Sequence, residues 1–192
     1  MNNLYPIFLK LENFNVLVVG GGYVGLEKIM SILTNSPKTR ITMVATFFRQ
    51  DTIEFAQQFP QVILTEKAFD ENDLSGHQFV IGATDKPEIN AEIKRLASEK
   101  NILCNVADTP DLCDFYLSSI VRKGDLKIAI STNGKSPTIA KRLKENLNAI
   151  LPDDLHDILH NMHAIREKLK GDFNYKLQEL NRITRDLIKP MS

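Results

Sequence analysis

The sequence lacks the features that mark secreted, membrane-spanning and nucleic-acid-binding proteins. Its 24 Lys and Arg residues balance 24 Asp and Glu residues, so no overall positive field attracts nucleic acid. No apolar run approaches the ~20 residues that a membrane-spanning helix needs. The amino terminus has neither the basic nor the apolar segment of a signal peptide. We therefore expect a cytoplasmic protein that binds neither nucleic acid nor a membrane.

Residues that bind metals or form disulfides are also scarce. Cys104 and Cys113 are too few for a disulfide framework, and neither has a second cysteine at zinc-ligand spacing. We expect reduced thiols, with Cys104 in the core and Cys113 either buried as a small apolar residue or reactive. His156, His160 and His163 share one helical face. Without an H-E-x-x-H motif they are interpreted as an exposed polar face, and no metal site is predicted.

Apolar runs and helical patterns alternate through the first part of the chain. The predicted strands are 15–20, 40–45, 61–65, 79–84 and 102–107. Helical patterns follow Gly22 and cover 51–59 and 88–100, and 70–74 is a helical turn. Pro6 to Leu9 is expected to be an edge strand or an apolar arm. This alternation predicts an α/β fold with a mostly parallel, doubly wound, Rossmann-like sheet.

The first predicted strand ends in a glycine-rich turn. Gly20, Gly22 and Gly25 have G-x-G-x-x-G spacing between an apolar strand and a helical pattern, the context in which this motif binds a dinucleotide. A glycine lets the backbone approach a pyrophosphate, and the helix that follows presents free N–H groups and its positive dipole end to the phosphates. The turn therefore predicts nucleotide binding.

The end of the second strand lacks the carboxylate that usually accepts hydrogen bonds from the adenosine ribose. The chain reads Ala45-Thr46-Phe47-Phe48-Arg49 there. Thr46 or a backbone group is then expected to bond the ribose. Arg49 is either a solvated residue or a ligand of the 2′-phosphate of NADP, so these residues leave NAD and NADP open.

Two other strands end in residues suited to a ligand site, at the sheet edge where open α/β folds bind ligands. Ala83 and Thr84 end the fourth strand, and Asp108 follows the fifth. Asp108 is placed to act as a general acid or base in a redox step, or to hold a cationic group. Alternatively, it opens an Asp-Thr-Pro turn in which the carboxylate bonds the backbone.

The pattern changes after Cys113. Two β-rich runs, 114–122 and 126–131, flank a Lys-Gly-Asp turn and predict an antiparallel hairpin. Helices are predicted over 138–150 and 153–170, and a last helix runs through Leu187.

A polar loop joins the hairpin to the first of these helices. It contains Ser131, Thr132, Asn133, Lys135 and Ser136. Ser136 is a good N-cap and the next residue, a proline, a good first helical residue. Hydroxyls and a lysine at a helix N-terminus favour the binding of an anionic group. The alternative is that the basic residues nearby are simply exposed to solvent on the surface.

Five segments, in this order, resemble the siroheme synthase N-terminal family, the precorrin-2 dehydrogenase and sirohydrochlorin ferrochelatase module. The segments are 6–9, 18–24, 83–85, 104–108 and 130–137. The resemblance covers about residues 4 to 155 well and the later helices loosely. It implies NAD-dependent oxidation of precorrin-2 to sirohydrochlorin, with ferrous iron insertion in some members.

The resemblance also implies an organisation and a homodimer. It divides the chain into an NAD-binding Rossmann domain (1–113), a dimerisation segment of strands and a helix (114–150) and a small helical domain (151–192). Ser118 departs from the family, which often has proline there. Thr132 departs from relatives with a second serine, which puts a phosphoserine role in doubt. The resemblance is to a stand-alone module without the methyltransferase domain.

Site residues follow from the resemblance position by position. Asp108 takes the place of the aspartate used in both activities. The contacts to NAD fall on Gly22, Tyr23, Val24, Thr46 and Phe47, beside Gly20, Ala83 and Thr84. The tetrapyrrole, which bears many carboxylates, is expected to meet Asn105, Ser131, Thr132, Asn133, Lys135 and Ser136. A non-catalytic NAD(H)-sensing module and a chelatase-only protein remain alternatives, and the sequence leaves iron insertion open.

Overall fold

A computed structural model describes residues 3–153 and 155–184. The chain forms two compact units, which divide between Leu117 and Ser118. The first contains a five-stranded sheet, and the second contains a two-stranded hairpin followed by helices. None of the described helices is long and apolar enough to cross a membrane.

The sheet of the first unit is parallel throughout, with the order β3-β2-β1-β4-β5. Its strands are β1 (Asn15–Val19), β2 (Arg40–Ala45), β3 (Val62–Glu66), β4 (Phe79–Gly82) and β5 (Leu103–Val106). The chain builds outward from β1 to β3 and then returns to place β4 on the other side of β1. The carboxyl ends of β1 and β4 therefore flank the switch point at which such sheets bind ligands.

Helices cover both faces of this sheet because its strands are apolar on both sides. The helices are α1 (Tyr23–Asn35), α2 (Gln50–Ala56) and α3 (Pro87–Glu99). Val16 and Val18 of β1 pack in one core cluster with α1, while Leu17 and Val19 pack in a second with α3. These two clusters confirm the doubly wound α/β arrangement that the sequence predicts.

Two predicted segments of the first unit differ from the structure. Pro6 to Leu9 forms no strand, and Ile7 and Phe8 are largely exposed, so the edge-strand alternative is wrong. The strand predicted from residue 114 starts only at Ser119. The reason is that Asp114 and Phe115 are held against β5 by hydrogen bonds that include side chains.

The second unit consists of β6 (Ser119–Lys123), β7 (Leu126–Ile130), α4 (Pro137–Ile150), α5 (Leu155–Lys168) and α6 (Phe173–Thr184). β6 and β7 form the predicted antiparallel hairpin. The hairpin turn contacts the region where α5 begins: Lys123 pairs with Asp153, which precedes α5, and His156 of α5 packs over Gly124. Leu187, placed by the sequence in the last helix, lies outside the described residues.

Candidate functional site

The glycine-rich turn lies at the carboxyl end of β1. The N–H of Gly20 donates to the carbonyl of Val44 (2.9 Å), which ties the turn to β2. A Cβ added to Gly25 would lie 2.1 Å from the Gly20 carbonyl oxygen, so only glycine allows α1 to approach the turn this closely. These contacts assign two of the three motif glycines to the geometry of the turn.

Gly22 has a different environment, with open space in which part of a dinucleotide could lie. A Cβ added to Gly22 would meet no protein atom within 4 Å. α1 begins at the next residue without a side-chain cap, and Tyr23 is 67% exposed. The first N–H groups of a helix have no intrahelical acceptor. The open space and these N–H groups fit the pyrophosphate of NAD or NADP, next to Gly22, Tyr23 and Val24.

The turn is supported by a residue that the sequence analysis missed. The carbonyl of Gly21 accepts hydrogen bonds from the Arg49 N–H (3.1 Å) and from Thr52 Oγ1 (3.2 Å). Thr52 has no exposed surface. It therefore fixes the turn from α2, and one threonine in a short helix gave no sequence signal of this contact.

Thr46 and Phe47 directly follow the carboxyl end of β2. Thr46 is exposed, and the ring of Phe47 is 68% exposed although that of Phe48 is 5% exposed. Arg49 makes a two-pronged hydrogen bond to Asp51, with Nη2 2.9 Å from Oδ2, and these bonds lower the pKa of the Asp51 carboxyl. The positive charge of Arg49 is thus already paired on α2.

Ala83 and Thr84 follow β4 on the other side of the switch point. Asn90 of α3 is buried and connects to Thr84 in both directions: Thr84 Oγ1 donates to Asn90 Oδ1 (2.8 Å), and Asn90 Nδ2 donates to the Thr84 carbonyl (3.0 Å). The Thr84 hydroxyl is therefore engaged within the protein. Asn90 is a second supporting residue that its place in a helical pattern did not indicate.

Asp108 is exposed just beyond β5 and has the left-handed backbone conformation, with φ of +57°. Across the described part of the chain, its carboxylate makes no hydrogen bond or ion pair. The alternative in which this side chain bonds the adjacent backbone is therefore wrong. Asn105 is 6% exposed, and its Nδ2 donates to the Phe115 carbonyl (2.8 Å), so its amide holds the segment that follows the Asp108 loop.

The five predicted substrate residues of the second unit lie in one tight loop before α4. Thr132 Oγ1 accepts from the Ser136 N–H (3.1 Å), and Ser136 Oγ caps α4 at the Ile139 N–H (3.2 Å). Asn133 has a positive φ of +55°. Ser131 and Lys135 are exposed. Two members of the group thus shape the loop, while others face solvent.

Burial disfavours the thiolate form of both cysteines. Cys104 is fully buried in β5, and burial raises its pKa to about 12. Burial also raises the pKa of Cys113, whose Sγ accepts the Val106 N–H at 3.3 Å. The three histidines of α5 are exposed. Residues 3–153 and 155–184 contain no group of three or more His, Cys, Asp or Glu residues arranged to hold a metal ion.

Fold and site together define a nucleotide-binding α/β protein of the Rossmann type. Residues 7–119 match the family model described as "Putative NAD(P)-binding", and residues 123–149 match "Sirohaem biosynthesis protein central". The chain belongs to this NAD(P)-binding family and carries the central segment of sirohaem biosynthesis proteins, which confirms the resemblance to the siroheme synthase family.

The relatives are consistent with this membership. The siroheme synthase of Pseudoalteromonas translucida is 38% identical over 170 residues, which are 88% of this chain and 35% of that protein. The siroheme synthase of Ruthia magnifica is 31% identical over 172 residues, 90% of this chain and 36% of the relative. The chain thus spans about a third of the length of these curated relatives.

A solved structure matches over a greater share of its length. The structure of SirC, precorrin-2 dehydrogenase, superposes with a TM-score of 0.73 at 26% sequence identity, covering 94% of this chain and 89% of that one. The similarity therefore includes both units of the fold and not the Rossmann unit alone.

Proposed function

We propose that this protein is a precorrin-2 dehydrogenase, which oxidises precorrin-2 to sirohydrochlorin in siroheme biosynthesis and reduces NAD. The observation that carries the proposal is the similarity to SirC, precorrin-2 dehydrogenase, over nearly the whole of both chains. The siroheme synthases are consistent with it, since their names refer to the product of the same biosynthesis.

The reaction removes one hydride and one proton from precorrin-2. NAD, when bound, accepts the hydride. We assign the proton to Asp108, because its carboxylate has no partner among the described residues and is exposed, so it can release the proton to water. Gly20 and Gly25 shape the turn that would hold the pyrophosphate, while Gly22 leaves room for it.

The cofactor preference follows from the end of β2. A protein that prefers NADP usually offers an arginine to the 2′-phosphate. Here the Arg49 guanidinium is already hydrogen-bonded to Asp51 in two places. We therefore propose NAD, with Thr46 near the ribose and the exposed ring of Phe47 near the adenine.

The substrate is an anion, which assigns a role to the loop before α4. The macrocycle bears carboxylates, and Lys135 is exposed beside the N-terminus of α4, whose dipole also favours negative charge. We propose that Ser131, Asn133 and Lys135 meet these carboxylates, while Thr132 and Ser136 keep the loop in shape.

A homodimer is part of the proposal. Ile139, Leu143 and Ile150 lie at related positions along α4 and are 55%, 44% and 62% exposed. By contrast, Ala140 is buried, and α4 packs on the hairpin. One side of α4 thus packs on its own unit and another presents apolar surface that a second subunit would cover. Light scattering of the purified protein tests this.

A two-stage assay tests the function. Purified protein is mixed with precorrin-2 and either NAD or NADP, and absorbance reports NADH and sirohydrochlorin. Ferrous ion is then added. NADH formation that depends on precorrin-2, faster with NAD, is expected. Metallation of separately supplied sirohydrochlorin by a protein that does not oxidise precorrin-2 would establish the chelatase-only alternative, and NAD binding without either reaction would establish a sensing module.

A further inference from the structure

The outer edge of β5 is closed by residues that come shortly after it in the chain. β5 is an edge strand, and its Leu103 N–H bonds back toward β4, so the backbone groups of Cys104 point outward. The Asp114 N–H donates to the Cys104 carbonyl (2.7 Å), and the Cys104 N–H donates to Asp114 Oδ2 (2.9 Å). Asp114 therefore pairs with the edge through both its backbone and its side chain.

Cys113 closes the next position of the same edge. The Val106 N–H donates to Cys113 Sγ (3.3 Å), and the thiol lies 3.2 Å from the Val106 carbonyl oxygen and 3.4 Å from that of Thr109. Val106 and Thr109 flank the dipeptide Ala107–Asp108. One sulfur atom thus contacts the chain on both sides of Asp108.

The closing segment is itself anchored to the body of the first unit. Asp114 Oδ1 lies 2.5 Å from Nζ of Lys94 on α3, and the two side chains are 34% and 21% exposed. The loop 107–112 therefore has both ends fixed, one on β5 and one on α3. Asp108, in this loop, is a non-glycine residue with φ of +57°. A residue in this strained left-handed conformation needs surrounding contacts to hold it there, and the two fixed ends of the loop provide them.

We propose that Cys113 and Asp114 are positioning residues, which hold the loop 107–112 so that the Asp108 carboxylate points toward the substrate. The inference rests on the proposed function for the role of Asp108. Neither residue takes part in the proton transfer. A thiol suits this position between the two ends of the loop because sulfur is a weak but adaptable hydrogen-bond partner, able to contact several backbone groups at long distances.

The experiment compares Cys113→Ala and Asp114→Ala in two backgrounds, the natural sequence and Asp108→Asn. We expect Cys113→Ala to lower kcat for precorrin-2 oxidation by about 10- to 100-fold, since small displacements of a reacting group have effects of this size. The KM for NAD should not change. In the Asp108→Asn background the same substitution should have no further effect on kcat, because the group it positions is gone.

Two further variants and a second measurement complete the test. Cys113→Ser, which keeps a hydrogen-bonding group, should restore most of the rate, and Asp111→Asn, an exposed charge change in the same loop, should be neutral. Amide hydrogen exchange over 107–112 should accelerate in Cys113→Ala and Asp114→Ala, without acceleration in α1.

The outcomes separate this inference from the proposed function. Equal losses of kcat in both backgrounds, or unchanged exchange over 107–112, would overturn the positioning role. No oxidation by the natural protein would overturn the proposed function, whereas a full rate in Asp108→Asn would overturn only the role assigned to Asp108. In either case the exchange measurement would still decide whether Cys113 and Asp114 close the loop.

Discussion

Gly20 and Ala83 lie so close that no side chain fits between them. A Cβ built on Gly20 would stand 2.3 Å from the Ala83 carbonyl oxygen, and the φ of Gly20 is +127°. The contact joins the ends of β1 and β4 at the switch point. The close approach of these two strand ends therefore depends on the absence of a side chain at position 20.

Gly20→Ala should destabilise the protein by about 3 kcal/mol, because it adds backbone strain to a clash with a backbone atom. Urea unfolding followed by circular dichroism measures this change. The matched control is an alanine at Gly76, which has positive φ (+79°) but open space around it; its cost should be smaller. Equal costs would show that the contact with Ala83 contributes nothing.

Gly22→Ala should separate binding from stability. The added methyl group meets no protein atom, so the free energy of unfolding should hardly change. The methyl group enters the space assigned to the pyrophosphate, and the Kd for NAD should rise about tenfold, which corresponds to ~1.4 kcal/mol. Displacement of fluorescent NADH by NAD gives this Kd. An unchanged Kd together with an unchanged fold would remove Gly22 from the cofactor site.

Asp108→Asn should lower kcat for precorrin-2 oxidation by about 10²- to 10⁴-fold, the range of general acid–base contributions. Asparagine tolerates the left-handed conformation of this position, so the loop should keep its shape and only the ionisable group is lost. NADH formation under saturating NAD measures the rate. NADH affinity serves as the control and should equal that of the natural protein.

The thiols should resist alkylation in the folded state. With a pKa raised to about 12, Cys104 at pH 8 holds more than about 10³-fold less thiolate than a free cysteine of pKa 8.5. Cys113 should also react slowly, because burial raises its pKa. Mass spectrometry after iodoacetamide treatment, with and without urea, measures the extent of alkylation at both cysteines. Rapid modification of Cys113 without urea would mean that the loop opens readily.

His77 should make stability depend on pH. Burial lowers the pKa of His77, while in the unfolded chain it is near 6.5. The unfolded state therefore binds more protons below that value, and the free energy of unfolding should be largest above pH 6.5 and fall as the pH drops through the folded pKa. His77→Gln should flatten this dependence below pH 6.5. His163→Gln, at an exposed position, should leave it as it was.

The sequence alone predicts the sheet and the glycine turn well, because both depend on local patterns. Apolar runs locate the strands, and the glycine motif can be recognised from six consecutive residues. The supports of the site were not predictable in this way. Thr52 bonds Gly21 across 31 residues, and Asp114 bonds Cys104 across 10. Hydrogen bonds of this kind depend on tertiary structure and have no periodicity.

The segment 114–118 shows a different limit. Its aromatic and apolar residues have the composition of a strand, yet the structure begins β6 at Ser119. The Asp114 carboxylate occupies a hydrogen-bond position that a neighbouring strand would otherwise take. The Asp114 side chain thus competes with the backbone of a further strand for the edge of β5, and composition does not show which of the two pairs there.

The closed edge of β5 has a consequence for self-association. An edge strand with free N–H and carbonyl groups is a template onto which another chain can add a strand. Here Thr109, Cys113 and Asp114 occupy the outward groups of Cys104 and Val106. A substitution that releases this segment would leave the edge exposed, so Cys113→Ala and Asp114→Ala should also form oligomers larger than the proposed dimer, increasingly with time and concentration.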